Sequence, residues 1–491
     1  MTEQRLQKVL AAAGVDSIMA LWYRRGSRKI RKIGLLIAVL NMAMAGLTLS
    51  EEPVYFADPN LQAAVEKKLS IFWPTPADML YLTELEANKK GIFGLTGLES
   101  ATNLTYLSLW NNQISDISVL SGLTNLTYLN LRSNQQVRDI SAISGLTNLT
   151  WLGLGYNQIT DISAVSGLTN LTALLLSGTQ ISDISALSGL TNLRELGLVH
   201  NQISDISGLS ELTNLKSLLL EGNQISDISA LANLTKLKNM WLQGNRISDI
   251  SALSKLTDMK YITLSHNNIS DISGLSKLTN LKLLDLTHNQ VTDISALSAL
   301  TNLTDLCLGY NQINDISALS GLTNVRCLRL CNNHISDIYA LSGLTNLTKL
   351  FLYNNQICDI SSISGLMNLT RLYLQSNQIS DISAVAGLTS LEYLGLLNNP
   401  LNTPAYYIYL PVISSFNPKL TSLTYDPSPN SLTDDWGIEI PDLIEFASRY
   451  GETGCAEYNN WCDGADLNHS GNVDMDDVME FSKYWFEGTE R

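Results

Sequence analysis

Apolar and polar residues recur in the same order every 22 residues along most of this chain. Fourteen copies of one unit follow one another between residues 104 and 401, and the first copy reads LTYLSLWNNQISDISVLSGLTN. In each copy the first, fourth and sixth positions are apolar, as at Leu104, Leu107 and Leu109. This spacing predicts a short β-strand that buries one set of side chains and exposes the set between them.

Two polar columns accompany the apolar positions. The ninth position is Asn in thirteen of the fourteen copies and Thr179 in the other. A buried Asn at a turn can bond backbone groups of its own and the neighbouring coil, so we interpret this column as structural. A second column is Asp, from Asp116 to Asp381. We interpret these Asp residues as caps of short helical turns, with an acidic metal-binding ladder as the alternative.

The order L-x-x-L-x-L-x-x-N with a period of about 20–29 residues resembles the leucine-rich repeat. The 22-residue unit of this chain is similar to the 22-residue repeats of the internalins and related bacterial surface proteins. The resemblance implies an α/β solenoid: a right-handed superhelix whose parallel strands form a concave sheet, with a long surface for a partner. The fold does not by itself identify that partner.

The rest of the chain is arranged around the repeats. Residues 51–103 read as an N-terminal cap, with a helix that begins at Asp58 and a degenerate first repeat. The repeats occupy residues 104–401, and residues 402–425 break the period and form the C-terminal cap. Terminal coils must differ from the others because they close the open ends of the core. The two remaining segments are residues 1–50 and 426–491.

Residues 1–50 look like an export signal. Basic residues precede an apolar run at residues 33–49, and a small-x-small cleavage site lies at residues 43–45. The run is short for a membrane-spanning helix, although an uncleaved anchor is the alternative. Synthesis from Met19 instead of Met1 would give a signal of more usual length. We expect an exported bacterial protein, secreted or at the cell surface, that contacts the membrane only through this segment.

Charge is unevenly distributed along the chain. The formal net charge is −15, and residues 426–491 alone carry 16 acidic and 3 basic side chains. An acidic exterior argues against nucleic acid as a partner, because phosphate binding requires a basic surface.

The repeat positions that vary are the ones expected to carry recognition. Positions three, five and seven should face the concave side, and they include many aromatic side chains. Aromatic residues are enriched in binding hot spots, although they also suit strand surfaces that have no partner. The residues predicted to bind a protein, or a glycan, are Tyr106, Trp110, Tyr128, Trp151, Trp241, Tyr261, Phe351, Tyr353, Tyr373 and Tyr393.

Position two is basic in five consecutive repeats. Neighbouring strands lie ~4.8 Å apart, so these side chains form a ladder of like charge that would favour an acidic partner. Solvated side chains without a partner are the simpler alternative. The members of this basic ladder are Arg194, Lys216, Lys238, Lys260 and Lys282.

Five of the six cysteines fall into two groups. Cys307, Cys327 and Cys331 lie on neighbouring predicted strands at diagonal Cα spacings of ~8 Å, too long for an easy disulfide. We expect unpaired thiols, with a strained bridge as the alternative, and we assign no metal site to them. Cys455 and Cys462 are close together in an exported chain, and we expect them to form a disulfide.

The segment 466–477 has the ligand order of a calcium loop. Such a loop needs oxygen ligands at positions 1, 3, 5, 7, 9 and 12 and Gly at position 6, where this sequence has Gly471. The predicted Ca²⁺ ligands are Asp466, Asn468, Ser470, Asn472, Asp474 and Asp477.

Asp at position 12, where an ordinary EF-hand has Glu, makes this loop similar to a type I dockerin repeat. Dockerins contain two such repeats, and residues 431–450 form the first of them here, since they align with the calcium-loop repeat 35 residues further on but have an eroded loop. The resemblance implies a small all-α domain with one calcium site, a second site with incomplete ligands, and attachment to an extracellular assembly through a cohesin-like module.

These patterns predict an exported, non-catalytic protein in which the concave repeat face binds a partner and the calcium-binding tail anchors the chain. The alternatives are an accessory subunit of a polysaccharide-degrading complex and a structural cell-surface or matrix protein. The sequence contains no His-Glu-x-x-His motif and no phosphate-binding loop.

Overall fold

The computed structural model describes residues 52–426. The chain folds into two compact units, one ending at Leu303 and the other beginning at Thr304. Both units consist of coils that each contain one short parallel strand and, in most coils, one short 3₁₀ helix. In this part of the chain, helices are too short or too polar to cross a membrane.

Two helices open the first unit, α1 (Pro59–Leu69) and α2 (Pro76–Met79). The buried Asp58 carboxylate caps α1, since its Oδ1 accepts the N–H groups of Asn60 at 2.7 Å and Leu61 at 3.0 Å. Its Oδ2 accepts the N–H of Phe93 at 2.6 Å. One side chain therefore starts α1, as the sequence indicates, and also fastens it to the first coil.

Ten parallel strands follow in the first unit, each three residues long. Successive strands pair in register, so equivalent repeat positions are direct neighbours. The strands are β1 (Glu84–Glu86), β2 (Tyr106–Ser108), β3 (Tyr128–Asn130), β4 (Trp151–Gly153), β5 (Ala173–Leu175), β6 (Glu195–Gly197), β7 (Ser217–Leu219), β8 (Asn239–Trp241), β9 (Tyr261–Thr263) and β10 (Leu283–Asp285). The 3₁₀ helices are Ser118–Gly122, Ser141–Ile143, Ser163–Val165, Ser185–Leu187, Ser207–Leu209, Ser229–Leu231, Ser251–Lys255, Ser273–Leu275 and Ser295–Leu297.

The second unit repeats this plan and ends in a different structure. Its strands are β11 (Asp305–Cys307), β12 (Cys327–Arg329), β13 (Lys349–Phe351), β14 (Arg371–Tyr373), β15 (Tyr393–Gly395) and β16 (Ser422–Thr424). Its 3₁₀ helices are Ser317–Leu319, Tyr339–Leu341, Ser361–Ile363 and Ser383–Val385. A π-helical turn, Ala405–Tyr409, and α3 (Leu410–Phe416) then replace the 3₁₀ helix before β16.

The ninth-position Asn joins consecutive coils. Asn245 is typical: its Nδ2 donates to the carbonyl oxygens of Leu242 at 2.9 Å and Leu220 at 3.0 Å. Its Oδ1 accepts the N–H of Ile225 at 3.0 Å. The side chain is buried, so these bonds satisfy backbone groups that water cannot reach. The predicted structural role of this column is confirmed.

Two coils depart from this scheme. Thr179 donates its hydroxyl to the Leu176 carbonyl at 2.9 Å, but no hydrogen bond joins it to the N–H of Ile159. The extra residue at Gln135 makes one step 23 residues long. In the coil that follows, the buried Oδ1 of Asn157 has no hydrogen-bond partner within the described residues. Each departure leaves at least one polar group of the scaffold unsatisfied.

The eighth position of every coil adopts a left-handed backbone conformation. Its φ lies between 52° at His200 and 68° at Gly244, and the same holds for Lys89 in the coil of β1. Residues other than Gly rarely adopt this backbone conformation unless the surrounding structure stabilises it. Here the backbone is held by the next coil, as when the N–H of Asn111 donates to the carbonyl of Arg132 at 2.9 Å.

Candidate interaction face

Side chains at positions three and five of each repeat leave the sheet on its exposed side. In β3, for example, Tyr128 and Asn130 are half-buried while Leu129 between them is fully buried. We call the surface formed by positions three, five and seven the strand face. Position seven lies just beyond the end of each three-residue strand.

Three rings on β2, β3 and β4 form one continuous stack, the first aromatic stack. The ring centroids of Tyr106 and Tyr128 are 4.3 Å apart, and those of Tyr128 and Trp151 are also 4.3 Å apart. Gly153 leaves room for the indole, because a Cβ there would lie 2.6 Å from the Trp151 ring. Burial raises the pKa of Tyr128, which keeps its hydroxyl protonated at neutral pH.

Position seven adds a cation–π contact beside these strands. The Nζ of Lys89 lies 4.4 Å from the ring centre of Trp110. The backbone N–H of Trp110 donates to the side chain of Asn88 at 2.8 Å. The cation and the hydrogen bond together hold Trp110 in place, half-exposed.

The second aromatic stack lies on β13, β14 and β15. The ring centroids of Phe351 and Tyr373 are 4.5 Å apart, and those of Tyr373 and Tyr393 are 4.2 Å apart. The guanidinium carbon of Arg329 lies 5.1 Å from the Phe351 ring centre. At the other end, the Gln375 amide donates to the Tyr393 hydroxyl at 3.0 Å.

The other predicted aromatic residues do not join these stacks. Trp241 and Tyr261 occupy different register positions on β8 and β9. Tyr353 follows β13 at position seven, where burial and hydrogen bonds with Cys331 and Tyr310 raise its pKa. The predicted aromatic residues therefore form two stacks, while Trp110, Trp241, Tyr261 and Tyr353 lie outside them.

The five members of the basic ladder are neighbours, as predicted. Each backbone N–H donates to the carbonyl of the preceding member at 2.8–2.9 Å, beginning with Lys216 and Arg194. Lys238 and Lys260 are half-buried, and the other three are exposed. The ladder is therefore a structural fact, while its binding of an acidic partner stays a prediction.

A sequence model of the repeat matches most of this architecture. The model describes "Leucine Rich repeats (2 copies)" and matches residues 102–145, 147–189, 169–211, 191–233, 235–277, 279–321, 323–365 and 368–405, which is more than half of the chain. The chain belongs to the leucine-rich-repeat family.

Solved structures place this leucine-rich-repeat protein with the internalins. An internalin (inlF) from Listeria monocytogenes is 38% identical, with a TM-score of 0.61, and the alignment covers 70% of this chain and 98% of that one. The protein LIC12759 of Leptospira interrogans is 24% identical, with a TM-score of 0.64 over 71% of this chain and 97% of its own. The plant peptide hormone receptor RGFR1, in complex with RGF2, is 22% identical, with a TM-score of 0.55 over 67% of this chain and 60% of its own.

Of these three structures, only the internalin is similar enough in sequence to indicate family membership in addition to a shared fold. A search of curated proteins returned no match. This chain is therefore an internalin-like leucine-rich-repeat protein, and membership of this family is consistent with a role in protein interaction.

Within the described residues, Cys307, Cys327 and Cys331 of this leucine-rich-repeat protein form no disulfide with one another, as expected. Cys307 is in register with Arg329, whose Nη1 donates to the Cys307 Sγ at 3.0 Å. Burial raises the pKa of Cys327, although the positive charge of Arg329 acts in the opposite direction. Cys327 is therefore a buried thiol of the strand face that stays protonated at neutral pH.

The Asp column caps the 3₁₀ helices. In residues 104–401 thirteen Asp residues each accept, at 2.7–2.8 Å, the N–H two positions later, as Asp227 does from Ser229. This backbone hydrogen bond lowers the pKa of Asp227 and of several of its equivalents. The capping interpretation is confirmed. Within residues 52–426 no three His, Cys, Asp or Glu side chains are grouped to hold a metal ion.

Sequence reasoning missed a second basic cluster. Arg326, Arg329, Lys349 and Arg371 lie on the consecutive strands β12, β13 and β14 or just before them, and all four are exposed. We call them the basic strip. They occupy positions two, three and five, so no single column of the repeat contains them, whereas a comparison of all outward positions together would have found them.

Several predicted features lie outside the described residues. These are the export segment of residues 1–50, the eroded loop of residues 431–450, the six calcium ligands of residues 466–477, and the pair Cys455 and Cys462. They stay predictions.

Proposed function

We propose that this chain is an exported, non-catalytic protein whose strand face binds another protein. The observation that carries the proposal is the pair of aromatic stacks on a scaffold that otherwise repeats the same residues. Aromatic side chains contribute large contact areas at low entropic cost and dominate many protein interfaces. The complex of the plant receptor RGFR1 with RGF2 supports a protein ligand for a surface of this fold.

The geometry of the stacks favours a protein over a glycan. A sugar ring packs on the face of an aromatic ring, but stacked rings turn their faces towards each other. In the first aromatic stack the interplanar angles are 10° and 11°, so the middle ring of Tyr128 has a neighbour on both faces. Ring edges and hydroxyl groups remain for a partner, and these suit side chains and backbone groups of a protein.

Site-specific photocross-linking tests the proposal on the full chain. With p-benzoylphenylalanine at Tyr128 or at Tyr373, we expect cross-links to a common protein from the extracellular fraction of the source organism. Tyr339 is the matched control, because it is 75% exposed on a 3₁₀ helix outside the strand face. Tyr128→Ala should weaken capture by about tenfold or more. The same cross-linked proteins at all three positions would refute the strand-face assignment.

The tail supplies the second part of the proposal. We propose that residues 466–477 bind one Ca²⁺ and that the dockerin-like segment attaches the chain to an extracellular assembly through a cohesin-like module. The ligand order and Gly471 support the calcium site, and the 16 acidic residues of residues 426–491 are compatible with a bound cation. A subunit of a polysaccharide-degrading complex and a structural surface protein are the alternative roles for such an attached chain.

Titration calorimetry tests the calcium loop. The full chain should bind Ca²⁺, and Asp466→Ala with Asp477→Ala should abolish that binding event, because these residues supply the first and last ligands of the loop. Glu452→Ala with Glu457→Ala is the control, since it removes the same charge from the tail outside the loop. Unchanged calcium binding in the first variant would disprove the site.

A further inference from the structure

The basic strip concentrates positive charge on an acidic protein. The chain has a net charge of −15, yet positions two to seven of the repeats that contain β12, β13 and β14 include four basic and no acidic residues. In the two flanking repeats, positions two to seven contain Asp305 on β11 and Glu392 just before β15. Asp305 accepts a hydrogen bond from the hydroxyl of Thr304 at 2.8 Å.

Lys349 and Arg371 are the centre of this strip. They are direct register partners on β13 and β14, which places like charges on strands ~4.8 Å apart. Such pairs destabilise a sheet. Within residues 52–426 neither side chain forms a salt bridge with a carboxylate. The folded chain therefore tolerates an unfavourable pair on an exposed face.

An aromatic surface adjoins this charge. Lys349 and Phe351 lie on the same strand, and Arg371 and Tyr373 lie on the next one, in register. Arg329 is held between the Cys307 thiol at 3.0 Å and the Phe351 ring at 5.1 Å. Charged groups and the edges of the second aromatic stack thus form one continuous surface.

Building on the proposed function, we infer that the basic strip binds an acidic, extended segment of the partner protein. Carboxylates of that segment pair with Lys349 and Arg371, and an apolar side chain on the same face of the segment packs against Phe351 and Tyr373. The acidic partner relieves the repulsion within the pair, so charge complementarity favours association.

Nucleic acid fits this surface less well. Bases bind to single-stranded sites by stacking on free ring faces, but Tyr373 has a ring on each side in the second aromatic stack. The strip spans three strands, or about 10 Å, and the net charge of the whole chain repels a long polyanion.

Fluorescence anisotropy with a labelled peptide, Gly-Glu-Glu-Phe-Glu-Glu-Gly, tests the inference on the full chain. We expect this probe to bind at least about tenfold more tightly than its twin with Gln in place of Glu, since each tenfold step corresponds to one charge-assisted contact. Binding should weaken as salt rises from about 0.02 M to 0.15 M, because the Debye length shortens to about 8 Å.

Lys349→Gln with Arg371→Gln should abolish the preference for Glu over Gln. Lys255→Gln with Lys277→Gln is the matched control, since these exposed lysines also occupy equivalent positions in consecutive repeats but lie in or beside the 3₁₀ helices. Absence of binding to the wild-type chain, or equal binding to the two double variants, would overturn the inference. Displacement by polyphosphate at lower concentrations than by free Glu peptide would instead assign the strip to a general polyanion and also overturn it.

The outcomes separate this inference from the proposed function. If the peptide fails to bind while Tyr128→Ala still weakens capture of the cross-linked protein, the strand face binds a partner of different chemistry. If the peptide binds while photocross-linking shows no strand-face partner, the basic strip stands and the wider proposal fails.

Discussion

Asn245→Ala is expected to lower the free energy of unfolding by about 3 kcal/mol, because it removes three buried hydrogen bonds and leaves the buried N–H of Ile225 without a partner. The lost bonds are the two donated to the carbonyls of Leu242 and Leu220 and the one accepted from the N–H of Ile225. Urea denaturation followed by far-ultraviolet circular dichroism measures this change. The carbonyls of Leu242 and Leu220 each keep one bond, from Asn267 and Asn223, whereas the N–H of Ile225 loses its only acceptor in a position that water cannot reach.

Two further substitutions serve as comparisons for Asn245→Ala. Asn192→Ala removes one exposed hydrogen bond, from Nδ2 to the Thr169 carbonyl, and should change stability by less than about 0.5 kcal/mol. Thr179→Asn should raise stability by about 1 kcal/mol, since an amide oxygen there can accept the N–H of Ile159. Equal losses for Asn245→Ala and Asn192→Ala would contradict the bridging role of the buried column.

Asp58→Ala is expected to lower the free energy of unfolding by about 3 kcal/mol and to release the N-terminal cap from the first coil. The carboxylate is fully buried and accepts the N–H groups of Asn60, Leu61 and Phe93. Hydrogen exchange should therefore accelerate in residues 59–69 before it does in the later coils, because a repeat array loses structure from an exposed end.

Thr75→Ala gives the comparison for Asp58→Ala. Thr75 caps α2, and its hydroxyl accepts the N–H of Asp78 at 3.3 Å in a partly buried capping box. It connects residues of a single helix, so its loss should cost only about 1 kcal/mol. A smaller loss for Asp58→Ala than for Thr75→Ala would show that the carboxylate does not join α1 to the coil.

Much of the fold could be predicted from the sequence, because every coil must satisfy the same buried backbone groups and bury the same apolar positions. Thirteen Asn residues at one position indicate a buried backbone contact, and Asn245 forms that contact. The left-handed eighth position was missed, since Ser133 and Tyr156 are unusual residues for such a backbone. A weaker signal was present: the column contains no β-branched residue in any of the fourteen repeats.

The candidate site was less predictable than the scaffold. Aromatic residues could be assigned to the strand face from spacing alone, but the stacking of Tyr106, Tyr128 and Trp151 depends on strand register and on Gly153. The basic strip crosses columns, so a search within one column could not reveal it. Contacts between different repeats, not patterns within one repeat, decide what the surface presents.

The Asn bridges also have an evolutionary consequence. Each bridge reaches only the preceding coil, and its bonds use backbone groups that every repeat provides. Unequal recombination between copies of the repeat in the gene can therefore add, remove or reorder whole coils without breaking any kind of scaffold contact. The scaffold stays the same while the order of aromatic and charged residues along the strand face is reshuffled, so new binding surfaces can arise without a new core.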